Sequence, residues 1–184
     1  MTKLELNKLN LAIKSLHGDV DVSSYEIDAA RRIDFPRGFL KTLYSNRSFL
    51  SFLNNKKIVE NIALHMMHRD TLHWLWLKTD ISGAARKMVI KFQLINLASI
   101  LEAIVKCLYP KMPKKKDDVY CRIEKLEIEK NISNANDLKQ LWLDRKSIHL
   151  HLFEETQDVV FSDQKYIQWH KSMSTLIKEL KYGI

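Results

Sequence analysis

The segment AARKMVIKFQLINLASILEAIVKCLYP, Ala84 to Pro110, limits the fold more than any other stretch of the chain. It is apolar nearly all round and is stopped by a proline, the pattern of a helix surrounded by others at the centre of a bundle. With only four glycines and three prolines in 184 residues, the rest of the chain has little turn chemistry for a many-stranded sheet. Long helices on short connections fit better. The expectation is an all-α protein: a helical bundle preceded by an N-terminal helical extension.

The flanking periodicity fills in the order. A first helix is predicted from about Lys3 to Leu16, ending at His17-Gly18, and Ser23 or Ser24 caps a short helix through SYEIDAARRI. Pro36 suits the first turn of a helix over FPRGFLKTLY, and a longer one follows Asn54-Asn55 over KKIVENIALHMMHRDTLHWLWL. After the central helix come the charged connection KMPKKKDD, a helix over VYCRIEKLEIEKN, and a cap at Ser133 or Asn134 opening the next helix. Ser162 caps the last, DQKYIQWHKSMSTLIKELK. A soft division near Ile81 to Gly83 separates an extension, residues 1–83, from a bundle, residues 84–184; one compact domain over 1–184 is the alternative.

Lys plus Arg exceed Asp plus Glu by 30 to 22, a net +8, which favours a polyanionic partner without distinguishing RNA from DNA or an acidic protein. Cys107 and Cys121 have no companions at metal-ligand spacing, so the expectation is reduced thiols, no disulfide scaffold and no zinc. The charged, amphipathic N-terminus MTKLELNKLNLAIK lacks a signal-peptide pattern. A cytoplasmic location with no membrane partner is expected. The sequence holds no Gly-rich phosphate loop, no paired-carboxylate motif and no Gly-x-Ser-x-Gly elbow, which argues against NTPase, two-metal nuclease and serine hydrolase chemistry.

The stretch LWLDRKSIHLHLFEE, Leu141 to Glu155, carries the candidate chemistry. If it is one helix, Arg145 and His149 stand at i,i+4 on nearly the same face, and His151 projects elsewhere unless the helix bends or ends. Histidine moves protons near neutral pH and arginine offers a permanently charged fork to phosphate oxygens. The same residues could instead cap carbonyls, pair with Glu154 or Glu155, or line a dimer seam.

An arginine followed after a few positions by histidine, on the helix before the last, resembles the HEPN superfamily of all-α nucleotide-binding domains, many of them ribonucleases. The resemblance covers about residues 84–181: LASILEAIVKCLYP is similar to the family's long helix, LWLDRKSIHLHLF to its motif helix, and SDQKYIQWHKSMSTLIKEL to the helix that follows. Arg145 and His151 have the family's spacing, with five residues between them; Arg145 and His149 have three, just short of it. Lys146 stands where the family usually has a small polar residue. The resemblance implies a metal-independent endoribonuclease without cofactor, a toxin or defence effector acting on RNA as a homodimer whose motif helices share a cleft, with a cognate antitoxin or other regulatory protein as partner. A non-catalytic HEPN-like module that binds RNA or a protein is the alternative, and a purely structural helical protein is a third reading.

Supporting positions follow. Glu102, a carboxylate on the apolar central helix, is a candidate to orient Arg145 or a histidine, or is an ordinary helix glutamate. Lys111, Lys114, Lys115 and Lys116 are candidates to track a phosphate backbone, or a solvated run. Upstream, Arg69 and His73 repeat the i,i+4 spacing of Arg145 and His149. A metal site at His65, His68 and His73 lacks a well-placed carboxylate beyond Asp70, and Trp74 and Trp76 read as a packed helix surface.

Overall fold

The computed structural model describes residues 2–17, 40–111, 118–148 and 161–183. Among them the chain is all-helical, with seven helices and no strand. It divides into two compact units, Met1–Arg37 and Gly38–Ile184. In the first, α1 (Lys3–His17) opens with a capping box: Glu5 accepts from the backbone N–H of Thr2 at 2.7 Å and Thr2 Oγ1 accepts from that of Glu5 at 3.3 Å.

The second unit contains α2 (Leu43–Phe49), α3 (Lys56–Lys78), α4 (Gly83–Leu108), α5 (Asp118–Lys130), α6 (Ala135–Lys146) and α7 (Asp163–Tyr182). The central helix is α4, as its all-round apolarity requires. Leu94, Leu97, Ala98, Leu101 and Ile104 are wholly buried and meet α3, α5, α6 and α7 on different sides. By length and composition α4 could cross a membrane, but 61% of its most apolar window is buried inside the bundle, and the other helices supply its apolar surroundings. Fully burying one of its leucines contributes roughly 1.5–3 kcal/mol, which is why so many together hold the unit.

Polar side chains set the helix ends. Asn55 caps α3, its Oδ1 accepting from the N–H groups of Lys57 and Ile58 at 3.1 and 3.2 Å. Gly83 begins α4 at φ +56°, a left-handed conformation that a Cβ would strain, so the chain reverses sharply between α3 and α4. The buried Arg122 of α5 donates to the carbonyl of Tyr109 at 2.9 Å and to the Asp118 carboxylate at 3.0 Å, which ties the end of α4 to α5. Ser162 Oγ caps α7 by accepting from Lys165 N–H, and Gly183 at φ +67° ends it.

Three expectations are corrected. The division lies at Arg37–Gly38 and not near residue 83, because α3 packs along α4 within one unit. The segment FPRGFLKTLY does not run helically through Thr42: Leu40 to Thr42 are non-helical and Thr42 is itself a cap, its Oγ1 accepting from Ser45 N–H at 3.1 Å. The motif helix does not extend to Glu155 but ends at Lys146. There Ser147 Oγ donates to the carbonyl of Asp144 at 2.7 Å, so a side chain competes for an acceptor of the last turn.

Candidate functional site

Of the residues singled out at the motif, Arg145 and Lys146 fall in the last turn of α6, and His149 and His151 lie outside the described residues. Arg145 is partly exposed, with its guanidinium carbon 5.8 Å from the centre of the Trp142 ring on the preceding turn. That is cation–π range. Among the described residues it has no carboxylate partner, although Asp144 is its chain neighbour.

The reason is tertiary. Asp144 is buried and its carboxylate is already engaged: it accepts from Trp169 Nε1 at 3.1 Å, from Gln140 Nε2 at 2.8 Å and from Lys165 Nζ at 3.5 Å. Two of these donors belong to α7, so Asp144 fastens α6 to α7. The turn that presents Arg145 therefore stands on a fixed base. The arrangement can bring a charged, bidentate donor to a phosphate without first breaking an ion pair to any of the described residues.

Of the supporting positions, the described Glu102 and Lys111 make no bond to Arg145. Glu102 pairs with Lys106 one turn along α4 at 2.6 Å, as an ordinary helix glutamate does. Lys111 is exposed after the end of α4, and Lys114, Lys115 and Lys116 lie outside the described residues. An open groove of about 660 Å³, lined by Lys56, Lys57, Lys106, Cys107 and Pro110 among others, contains none of the described candidate site residues.

A second polar cluster sits between α3 and α7, where only part of it was legible in the sequence. Arg69 and Asp70 are buried and joined by Nε and Nη2 bonds of 3.1 and 2.8 Å to one carboxylate oxygen. His73, one turn on, shares a hydrogen bond between its Nδ1 and the Tyr166 hydroxyl and stacks on His170 with ring centres 4.7 Å apart. Trp76 packs on Tyr166, and its indole N–H reaches Asp163 at 2.7 Å. Arg86 of α4 binds the same carboxylate from a second side at 2.9 Å, so three helices meet at the start of α7.

Burial, followed by the positive charge of Arg69, drives the pKa of His73 down; the same causes push His170 down to about 4. Both imidazoles are then neutral at pH 7. Burial likewise raises the Tyr166 phenol, while hydrogen bonds from Arg86 and Trp76 hold Asp163 below the usual carboxylate range. Tyr166 and His170 were not marked by sequence reasoning. Their i,i+4 spacing on a face otherwise apolar was the available signal, but it does not reveal that His73 would meet them from a distant helix.

The metal reading of α3 fails on geometry. His65 Nδ1 bonds Asn96 Oδ1 at 2.6 Å, Asn96 Nδ2 returns to the His65 carbonyl at 2.8 Å, and His68 is exposed. Among the described residues no group of three His, Cys, Asp or Glu is arranged to hold a metal ion. Comparison with protein-family profiles, curated proteins and solved structures found no match.

Proposed function

We propose that the protein is a metal-independent endoribonuclease of the HEPN type, in which Arg145 neutralises charge on the scissile phosphate and His151 transfers protons, with His149 placed to position phosphate. The observation that carries this reading is the Arg145 guanidinium at the end of α6, without a carboxylate partner among the described residues and beside an Asp144 carboxylate that Trp169, Gln140 and Lys165 hold elsewhere. The order of a long central helix, a motif helix and a last helix packed against both also supports it. A composite cleft between two copies, a toxin or defence role, and a neutralising partner belong to the proposal through the family resemblance.

The chemistry is in-line attack by the ribose 2′-hydroxyl. The base takes the 2′ proton, the 2′-oxygen bonds to phosphorus, and the 5′-oxygen leaves with a proton, giving a 2′,3′-cyclic phosphate and a 5′-hydroxyl. A proton-transfer group commonly contributes ~10²- to 10⁴-fold, and a preorganised donor to the developing charge ~10²- to 10³-fold.

The test is cleavage of RNA by purified protein in excess chelator, with analysis of the ends. Arg145→Ala and His151→Ala each abolish cleavage in protein that remains folded, whereas His149→Ala is milder. Chelator-sensitive cleavage overturns the metal-free mechanism, and His149 essential with His151 dispensable reverses the two histidines. RNA binding without cleavage by the wild type favours the alternative of a non-catalytic module, the reading that Lys146 in place of a small polar residue supports.

A further inference from the structure

Away from Arg145, two lysines from distant parts of the chain converge on one aromatic ring. Lys41 Nζ lies 4.6 Å and Lys181 Nζ 4.5 Å from the centre of Phe49, and Lys181 is also 5.1 Å from the ring of Tyr182. Neither ammonium has a carboxylate partner among the described residues. Of the acids nearby, Asp70 holds Arg69 through Oδ1 and accepts from the backbone N–H of Lys41 at 3.5 Å through Oδ2, and Glu179, two residues before Lys181, accepts from the backbone N–H and hydroxyl of Ser133 through Oε1, its buried Oε2 having no hydrogen-bond partner among the described residues. Lys178, one turn back on α7, is exposed and adds a third positive charge.

Ring quadrupoles stabilise each ammonium but do not cancel the repulsion between them. With both nitrogens within 4.6 Å of one ring centre, an anion at the edge of that ring can offset the repulsion, and each ammonium has donors to spare for its oxygens. Tyr182 is 57% exposed beside them, which leaves an aromatic face open next to the anion site. Paired cations and an open ring match a nucleotide unit, with a phosphate on the lysines and a base on the tyrosine.

We propose that Lys41, Phe49, Lys181 and Tyr182 form a landing site for single-stranded RNA, separate from the Arg145 turn. The choice of RNA rests on the ribonuclease reading; the phosphate and base chemistry rests on the two lysines and the tyrosine. Lys41 and Lys181 hold a backbone phosphate, Phe49 fixes both stems, and Tyr182 stacks a base.

The experiment measures binding, not cleavage. A fluorescent 2′-O-methyl oligouridine, which lacks the 2′-hydroxyl nucleophile, is titrated with full-length protein over a series of salt concentrations. The Lys41→Gln/Lys181→Gln double variant weakens binding and flattens the log affinity against log salt slope by roughly 1.4, from about 0.7 per lost contact to a single strand. Tyr182→Ala weakens binding by about fivefold or more with little change in slope, as a lost base stack requires. Unchanged affinity and slope in the double variant overturn the site, and so does displacement of the probe by poly-glutamate as effective as by unlabelled RNA. If the wild type binds through these residues but cuts no RNA, the ribonuclease reading falls and the landing site stands. If it cuts RNA while the double variant binds like wild type, the reverse holds.

Discussion

Arg69-Asp70 on α3 and Asp144-Arg145 on α6 contain the same two residue types side by side, each with a histidine four residues after its arginine, and the protein treats them oppositely. On α3 the neighbours pair with each other in the interior, and the histidine is turned into a ring stack with α7. On α6 the aspartate is drawn to Trp169 and Lys165 of α7, and the arginine stays partly exposed over Trp142. A local motif therefore does not state its own role. The deciding factor is which donors the neighbouring helix brings to the carboxylate.

The sharpest break of this comparison uses the buried pair. Asp70→Asn leaves the Arg69 charge without its partner in the interior and should cost about 3–5 kcal/mol, whereas Arg69→Met combined with Asp70→Asn should recover part of that loss. Arg145→Met should stay within about 0.5 kcal/mol of wild type, since it removes no buried partner. Chemical denaturation measures all three. If Arg145→Met is as damaging as Asp70→Asn, the contrast between the two sites is wrong.

A pH series separates the sites next. Because the pKa of His170 falls from an ordinary 6.5 to about 4 on folding, the unfolded chain takes up its proton first as the solution is acidified. The stability tied to this is whole above about pH 6.5 and is lost progressively down to about pH 4. Arg69, His73 and Lys41 act on the ring as positive or potentially positive neighbours, and Asp70 opposes them. A tenfold weakening of proton binding corresponds to about 1.4 kcal/mol, so with solvent screening the loss should be of order 1–3 kcal/mol. His170→Phe should flatten that acid limb, and an unflattened limb would assign the acid sensitivity to other groups.

A smaller effect sharpens the α6 side. Trp169→Phe keeps most of the ring but removes the 3.1 Å bond to Asp144, at a cost of roughly 1–2 kcal/mol. With one restraint gone, Asp144 is freer to pair with Arg145, so the RNA cleavage proposed for the protein should fall several-fold by more than the change in stability explains. Asp144→Asn in the same background should restore part of it. Cleavage unaffected by Trp169→Phe would mean that the Asp144 anchor has no part in presenting the arginine.

The sequence alone determined the helical class and the helices with strong periodicity and clear caps. A run as apolar as Ala84 to Leu108 has few stable states besides a surrounded helix, and Asn55, Ser162 and Gly183 stop or start helices through groups within a few residues. Local chemistry marked Arg145 as a residue of the motif helix but could not find the end of that helix, because Ser147 competes with it by a single hydrogen bond. Only the tertiary structure decided that α3 belongs with α4 in one unit, that His73 meets Tyr166 and His170 from a helix far away in the chain, and that Asp144 turns from its own neighbour toward Trp169. Periodicity records which face of a helix is buried. It does not record what comes to lie against that face, and the partner across the interface sets whether a charge is paired, stacked or left available.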